Sequence, residues 1–161
     1  SETGGLLLEV NSHELDYLYF LFGEAQSVFA QAHQLNGWGD VLDALLVQIT
    51  FRNGAIAVLH SSNSSPVGEY RVHIQATNGN MVHGGFGGEI QYRSFDATET
   101  TTVRAADLNY GDPYARELTS FLDWVEHDST PLFTGETGRV NVAIAEAAYR
   151  SIASGRVEAV G

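Results

Sequence analysis

A carboxylate and an imidazole lie four residues apart near the start of the chain, in the segment GGLLLEVNSHELD that begins at residue 4. A carboxylate beside an imidazole holds the tautomer of the ring and raises its basicity. Alcohol oxidation by hydride transfer needs such a base, because the hydroxyl proton leaves while hydride departs from the same carbon. If Glu9 ends an extended stretch and His13 begins a helix, both side chains face one cleft, and the spacing predicts a catalytic pair. In the alternative interpretation Asn11 and Ser12 cap the helix and His13 is simply exposed.

Metal and nucleophile chemistry has less support in the sequence. The chain has six histidines, but they form no His-x-His pair and no His-Glu-x-x-His motif, so we predict no metal site. His73 and His83 fall on facing strands of one predicted hairpin, which would bring them close together without a convergent carboxylate. Cysteine and the Gly-x-Ser-x-Gly motif are both absent. The glycine-rich segment 84–88 lacks the lysine and the following helix of a phosphate loop, so it is predicted to be a turn between strands.

The composition indicates one globular domain, which we assign to residues 1–161. Of its 161 residues, 43% are hydrophobic and 17% are charged, proportions typical of a folded domain. The net charge of −12 would repel nucleic-acid phosphates and anionic lipids, so we predict neither a nucleic-acid nor a membrane partner. The lack of cysteine is compatible with a reducing compartment, and we expect a cytoplasmic protein.

Hydrophobic spacing predicts the elements that position Glu9 and His13. Apolar residues recur every three or four positions between residues 10 and 22, which predicts a helix with a polar cap and a glycine stop. From about residue 25 to residue 105 the period becomes two, which predicts six or seven strands in a mostly antiparallel sheet. The turns at Asn53-Gly54 and Asn78-Gly79 each separate two apolar runs and predict hairpins.

Two helices are predicted after the strands, and together the elements indicate an α+β domain. The Asp112-Pro113 pair starts the first of these helices, and Thr134 starts the alanine-rich second one. We expect an open sheet with helices on one face. The strands carry more large apolar residues than one covered face can hold, which predicts a second packing surface, most simply a homodimer; these residues are Phe29, Val47, Ile49, Phe51, Ile56 and Val58.

The same segments resemble the C-terminal domain of the glucose–fructose oxidoreductase, inositol dehydrogenase and MocA family (Gfo/Idh/MocA). The resemblance runs in order from about residue 4 to residue 158, and its most specific part is the glycine-rich entry followed by the acidic residue, the histidine and Asp16. Further similar segments are FRNGA at 51–55, QATNGN at 75–80, FLDWV at 121–125, TGETG at 134–138 and AAY at 147–149.

The resemblance implies a substrate-binding and oligomerisation domain of an NAD(P)-dependent oxidoreductase that acts on a sugar, a polyol or a related compound. It implies that His13 is the acid/base or polarising group and that Glu9 orients both substrate and histidine. Asn11 and Ser12 fall where the family often lines the sugar pocket, and Tyr110 is a further candidate for substrate binding, with Tyr92 and Tyr114 as weaker ones. The resemblance also implies a homodimer or tetramer formed through the open sheet face.

Two departures from the family pattern limit this interpretation. The acidic position is usually Asp, whereas Glu9 is one methylene longer. The family's N-terminal dinucleotide-binding half, with its Gly-x-Gly-x-x-Gly turn and a catalytic lysine, has no counterpart here, because all 8 basic residues are arginine. We therefore expect that NAD or NADP binds outside this chain and that the chain alone is inactive. The alternatives are a non-catalytic ligand-binding or assembly domain of the same fold, and a free-standing α+β domain that is similar in architecture only.

Overall fold

The computed structural model describes residues 4–36, 42–85, 87–108, 111–131 and 133–161. These residues form an α+β structure with antiparallel sheets, which confirms the expected fold class. The chain divides into two compact units, the first made of Ser1–Ser65 with Leu132–Gly161 and the second of Pro66–Pro131. The helices are α1 (Gly5–Glu9), α2 (Ser12–Phe22), α3 (Pro113–His127) and α4 (Gly135–Ser154). The strands are β1 (Ala25–His33), β2 (Ala44–Phe51), β3 (Ile56–Ser62), β4 (Val72–Ala76), β5 (Gly79–His83), β6 (Ile90–Ser94), β7 (Thr101–Val103) and β8 (Glu158–Ala159).

The first unit is built on a sheet with the strand order β3-β2-β1-β8, in which every pairing is antiparallel. Helix α4 lies along β1, and α1 and α2 pack beside α4 on the same side. The core between helices and sheet consists of fully or almost fully buried apolar side chains, including Leu7, Leu15, Val28, Val47, Ile49, Phe51 and Ile144. This layer of helices on one sheet face is the arrangement expected from the sequence.

The opposite face of this sheet carries apolar side chains that remain accessible. Strand alternation directs Val47, Ile49 and Phe51 into the core, while Ile56 and Val58 are 64% and 61% exposed. The register places Gln48 of β2 between Phe29 of β1 and Val58 of β3, on the face away from the helices. We call the outward-facing residues Phe29, Leu46, Gln48, Ile56 and Val58 the open face.

A buried serine joins α4 to the sheet where the strand ladder stops. The short β8 pairs with β1 only at Ser27 and Val28. The next inward residue, Ala30, donates its backbone N–H to Ser151 Oγ of α4 at 2.9 Å, and Ser151 is fully buried. The hydroxyl therefore satisfies a backbone donor that a longer β8 would otherwise have paired.

The start of the chain differs from the expectation of an extended stretch that ends at Glu9. Residues Gly5–Glu9 form the one-turn helix α1, which begins after Gly4 in a left-handed conformation with φ of 89°. The backbone N–H groups of Val10 and Asn11 both donate to the Leu6 carbonyl and close this turn. Coiling buries Leu6 and Leu7 together, which an extended strand could not do because its side chains alternate between two faces.

The second unit contains a separate four-stranded antiparallel sheet with the order β4-β5-β6-β7, followed by a short 3₁₀ turn and α3. In its register His73 is paired with Val82, and His83 with Val72. Neighbouring positions along a strand point to opposite faces, so the expected approach of His73 to His83 is not made. In the part of the chain that the structure describes, no group of three or more His, Cys, Asp or Glu side chains is arranged to hold a metal ion.

Helix α3 is well formed at both ends. The Asp112 carboxylate accepts from the Tyr114 backbone N–H at 2.9 Å, and Pro113 occupies the first turn, as the sequence predicted. Asp128 ends the helix in a left-handed conformation with φ of 52°. Within the described ranges of the chain, the helices lack the combination of length and apolar character that a membrane span requires.

A buried aspartate fixes the connection between β1 and β2. Asp43 Oδ1 and Oδ2 accept from the backbone N–H groups of Leu35 at 2.7 Å and Asn36 at 2.8 Å. The Leu35 N–H contributes most to holding the pKa of Asp43 below its usual value; burial opposes this shift, and the Asn36 N–H adds to it. The ionised carboxylate is therefore the form that stabilises the folded connection.

We expect Asp43→Asn to lower the thermal stability of the chain at neutral pH, because an amide carries no charge and one of its two terminal atoms is a donor. The pKa of Asp43 is lower in the folded state than its ordinary value of 3.8. Its stabilising effect is thus complete above that value and is lost as the pH falls through the folded-state pKa. Melting curves from pH 7 down to pH 2 should show the two proteins converging in acid. A constant difference at all pH values would contradict this role.

Candidate functional site

The predicted pair Glu9 and His13 lies where α1 gives way to α2. Glu9 is the last residue of α1, and His13 is the second residue of α2. Both side chains are exposed, and the turn between them is held by the backbone bonds of Val10 and Asn11 to Leu6. The helix-to-helix junction therefore presents a carboxylate and an imidazole to solvent on a short, hydrogen-bonded segment.

Beneath His13, a buried polar pair stiffens the first turn of α2. Asn11 is 4% exposed and Glu14 is 8% exposed, and Asn11 Nδ2 donates to Glu14 Oε2 at 3.1 Å. Asn11 occupies the N-cap position, as predicted, but its side chain does not cap the helix and bonds to Glu14 instead. The buried Asn11 Oδ1 has no hydrogen-bond partner among the described residues. A buried carbonyl oxygen without a donor costs about 1–3 kcal/mol, which marks this position as a candidate for a functional role.

A second amide holds α2 against α4. Asn141 Nδ2 of α4 donates to Asp16 Oδ1 of α2 at 3.1 Å, across 125 positions of sequence. Asp16 follows His13 by one helical turn, so this bond fixes the rotation of the helix that carries the histidine. Asn141 Oδ1 is also buried without a partner in the described part of the chain.

Tyr149 of α4 anchors the entry to the site. Its Oη donates to the Gly4 carbonyl. A Cβ added at Gly5 would lie 3.1 Å from this Tyr149 Oη. Burial raises the pKa of Tyr149; the Leu7 backbone N–H opposes the shift and the negative charge of Glu9 adds to it. The phenol therefore stays protonated at neutral pH and remains available as a hydrogen-bond donor. The charge of the Glu9 carboxylate contributes to this by raising the pKa of Tyr149.

The remaining predicted residues are placed as follows. Ser12 is the first residue of α2 and is partly exposed beside His13. Tyr110 lies outside the described residues. Tyr92 is in β6 and Tyr114 in α3, both within the second unit and both exposed. The structure thus gathers Glu9, Asn11, Ser12 and His13 at one junction.

The glycines of segment 84–88 belong to a turn that connects two strands and not to a cofactor-binding loop. The turn connects the antiparallel strands β5 and β6, whereas a dinucleotide cradle joins a parallel strand to a helix. A Cβ at Gly85 would lie 2.8 Å from the Tyr70 carbonyl oxygen, and one at Gly88 would lie 2.8 Å from the Gly84 carbonyl carbon. Backbone crowding therefore explains Gly85 and Gly88, and a turn between antiparallel strands is not a dinucleotide cradle.

Three residues of this site were missed from the sequence: Glu14, Asn141 and Tyr149. For Glu14 a signal was available, because Asn11 and Glu14 have the N-cap and N3 spacing of a capping box. Asn141 and Tyr149 contact residues more than 120 positions away. No local pattern reports such contacts, although the sequence did predict the helix that carries both side chains.

We expect Glu14→Ala to destabilise the chain by about 1–3 kcal/mol, because it removes the acceptor that the buried Asn11 amide has among the described residues. Glu14→Gln retains an acceptor oxygen at the same reach and should lose much less. Urea unfolding followed by circular dichroism measures both. The matched control is Glu146→Ala on the exposed side of α4, which should change stability by no more than about 0.5 kcal/mol. Equal losses for Ala at positions 14 and 146 would contradict the proposed packing.

Comparison with known proteins places these features in context. The chain is 25% identical over 163 residues to myo-inositol 2-dehydrogenase of Thermotoga maritima, with 93% of this chain and 47% of that protein covered. It is 24% identical over 161 residues to 1,5-anhydro-D-fructose reductase of Ensifer adhaerens, with 95% and 46% covered. The chain therefore spans about half the length of these relatives.

The fold is also found among solved structures. One of them is an oxidoreductase from Agrobacterium radiobacter that was crystallised with NAD⁺, L-tartaric acid and magnesium. It superposes on this chain with a TM-score of 0.81 at 20% identity, and the match covers 95% of this chain and 48% of that one. The sequence profile of the Gfo/Idh/MocA oxidoreductase family, C-terminal alpha/beta domain, matches residues 1–160. Because that match covers nearly the whole chain, this protein belongs to the Gfo/Idh/MocA oxidoreductase family and corresponds to its C-terminal domain.

Proposed function

We propose that this chain is the substrate-binding and oligomerisation part of an NAD(P)-dependent oxidoreductase that acts on a sugar, a polyol or a related compound. The observation that carries the proposal is the α1–α2 junction, where Glu9 and His13 are exposed above the buried Asn11–Glu14 pair. The relatives support it, since one is named for the dehydrogenation of myo-inositol and another for the reduction of an anhydro sugar.

In this proposal His13 exchanges a proton with the substrate hydroxyl or carbonyl oxygen. Oxidation of a secondary alcohol breaks the O–H and C–H bonds, and the imidazole nitrogen takes the proton of the O–H bond. A bound nicotinamide would supply the acceptor for the hydride of the C–H bond. Glu9 orients the imidazole and the sugar hydroxyls. Asn11 and Ser12 contribute polar groups at the same junction, and Tyr110 is a further candidate for substrate binding.

The nicotinamide dinucleotide would be held by a half of the intact protein that these residues do not include. The proposal is supported by the two sheets of the described residues, in which the strand pairings are antiparallel, and by the sequence, which contains no lysine, the residue expected to complete the acid–base set. We therefore propose that the chain alone does not turn over substrate. Cofactor choice between NAD and NADP would lie in that other half.

A second candidate function is a non-catalytic ligand-binding or assembly domain of the same fold. The observation that favours it is Glu9, whose extra methylene moves the carboxylate away from the position that an Asp would occupy. On that view the junction would still bind a polyol, but replacement of His13 would change binding only.

We expect His13→Ala in the intact protein to reduce turnover by about 10²-fold or more, because a positioned acid–base group contributes 10²–10⁴-fold. Turnover is followed by nicotinamide absorbance with a panel of polyols and sugars that begins with myo-inositol. His73→Ala is the matched control, since that exposed histidine lies in β4. An unchanged rate for His13→Ala would refute the catalytic assignment and favour the binding domain.

We also propose that the open face forms the contact in a homodimer or tetramer. Its accessible Ile56, Val58 and Leu46 are between 41% and 64% exposed, and they lie on the same sheet face as the partly buried Phe29. Large contiguous apolar patches are uncommon on monomers. A flat sheet face is self-complementary when two copies meet about a two-fold axis.

Val58→Asp should convert the assembled protein to a monomer, because two-fold symmetry would bury two unpaired carboxylates in one interface. Light scattering on a sizing column measures the mass. Phe20→Asp is the control, since Phe20 is 81% exposed but lies on the helix side, in α2. A monomeric native protein, or equal effects of the two substitutions, would exclude the open face as the contact.

A further inference from the structure

Helix α3 has an exposed apolar stripe that the proposed function does not use. Five large side chains recur at intervals of four, three, one and three residues and fall within one third of the helix circumference; they are Tyr114, Leu118, Phe121, Leu122 and Val125. They are 77%, 63%, 54%, 51% and 66% exposed. We call these five residues the α3 stripe.

The side of α3 opposite the stripe is polar, which makes the stripe a distinct surface. Arg116, Asp123 and His127 share that opposite side of the helix, and His127 Nδ1 lies 3.8 Å from Asp123 Oδ1. With its N-cap bond in place, the helix presents its apolar side as a preformed ridge. A ridge of this kind needs no ordering before it binds, so little conformational entropy opposes docking.

An aromatic pair widens the stripe. Phe121 and Trp124 are 6.3 Å apart between ring centroids at an interplanar angle of 79°, an edge-to-face contact of the kind aromatic pairs favour. Trp124 is 46% exposed. Aromatic side chains are enriched among the residues that dominate binding energy at protein interfaces.

The size of the stripe fits a contact between domains better than an obligate dimer. The five side chains of the stripe together with Trp124 offer roughly 100 Å² each at these exposures, or about 600 Å² on one side of a contact. Interfaces between domains of one chain are about 600–1,500 Å². Obligate homodimer interfaces are about 2,000–5,000 Å² in total, which a single helix of this length would not supply.

Charge also disfavours a second copy of the same helix as the occupant. The flanks of the stripe carry Glu117 and Glu126, the C-cap of the helix is Asp128, and the basic Arg116 lies on the opposite side. A two-fold pairing of α3 with itself would bring these acidic flanks together, and like charges across an interface are unfavourable. We therefore expect a different polypeptide segment, and not a second copy of α3, to cover the stripe.

We propose that the α3 stripe docks onto an apolar patch of the amino-terminal, nucleotide-binding half of the intact polypeptide. This chain covers 47% and 46% of two relatives and matches a family description that names a C-terminal domain. A partner segment of similar size is therefore expected in the intact protein. The inference rests on the proposed function only in requiring that second half, and it concerns docking rather than catalysis.

Hydrogen–deuterium exchange of the intact protein and of this chain alone tests the proposal. We expect amides 118–125 to exchange at least about tenfold more slowly in the intact protein, because docking suppresses local opening of the helix. Leu118→Glu should abolish the added protection and leave the melting temperature of the isolated chain unchanged. Thr119→Glu, one position along on the polar side, adds the same charge and should preserve the protection.

Three outcomes would overturn the proposal. The first is equal exchange of these amides in the two proteins. The second is a lower melting temperature of the isolated chain for Leu118→Glu but not for Thr119→Glu, which would mean that the stripe packs inside this chain. The third is a smaller sedimenting mass of the isolated chain for Leu118→Glu, which would mean that a second copy is the occupant. Failure of the proposed function can be distinguished from failure of the docking proposal. If the intact protein shows no turnover but still protects amides 118–125, the docking surface is retained and only the proposed chemistry is wrong.

Discussion

The close approach of α4 to β1 is the constraint on which the first unit depends. Ala145, Ala147 and Ala148 are fully buried, and their small side chains let the helix lie near the sheet. At that distance the Ser151 hydroxyl reaches the Ala30 backbone N–H and replaces a ladder bond that β8 is too short to make. A larger residue at one of the alanines would separate the layers and cost packing on both sides.

The same helix also positions the candidate site. Asn141 bonds to α2 near its start, and Tyr149 bonds to the entry of α1, so the two helices that carry Glu9 and His13 are held by one rigid neighbour. Such a support fixes the backbone positions from which the functional side chains project. This explains how both side chains can be exposed while the segment that carries them is well packed.

The sequence was a good guide to elements and a poor guide to their partners. The Asn53-Gly54 turn, the capped start of α3 and the apolar stripe of α4 appear as predicted, because turn chemistry, capping and periodicity are local properties. The second hairpin also forms, but its turn is Thr77-Asn78, one residue earlier than predicted, and Gly79 begins β5. The single sheet of six or seven strands is instead two four-stranded sheets, and a strand pattern does not state which strand it pairs with. The serine-rich segment between β3 and β4 was the available hint.

At the site, the sequence predicted the junction but not what supports it. Asn11 was expected to cap α2, and its side chain instead bonds to a buried Glu14. Because the first turn is buried, a hydrogen bond to this side chain stabilises it more than a bond to a terminal backbone N–H would. The short helix α1 was missed since five residues carry too little periodicity to be recognised. The roles of Glu9 and His13 in chemistry stay predictions.

The order in which this polypeptide is synthesised has a consequence for how the first unit is assembled. Its long-range bonds join residues 4, 16 and 30 to residues 149, 141 and 151, so the N-terminal helices and β1 emerge from the ribosome well before the helix that covers them. Pairings so distant along the chain slow folding, since a large loop must close before they form. Until α4 arrives, the inner face of the β1–β2–β3 hairpins lacks its cover. Folding of the first unit therefore waits for α4, and in that interval the apolar inner face of the sheet is exposed to aggregation.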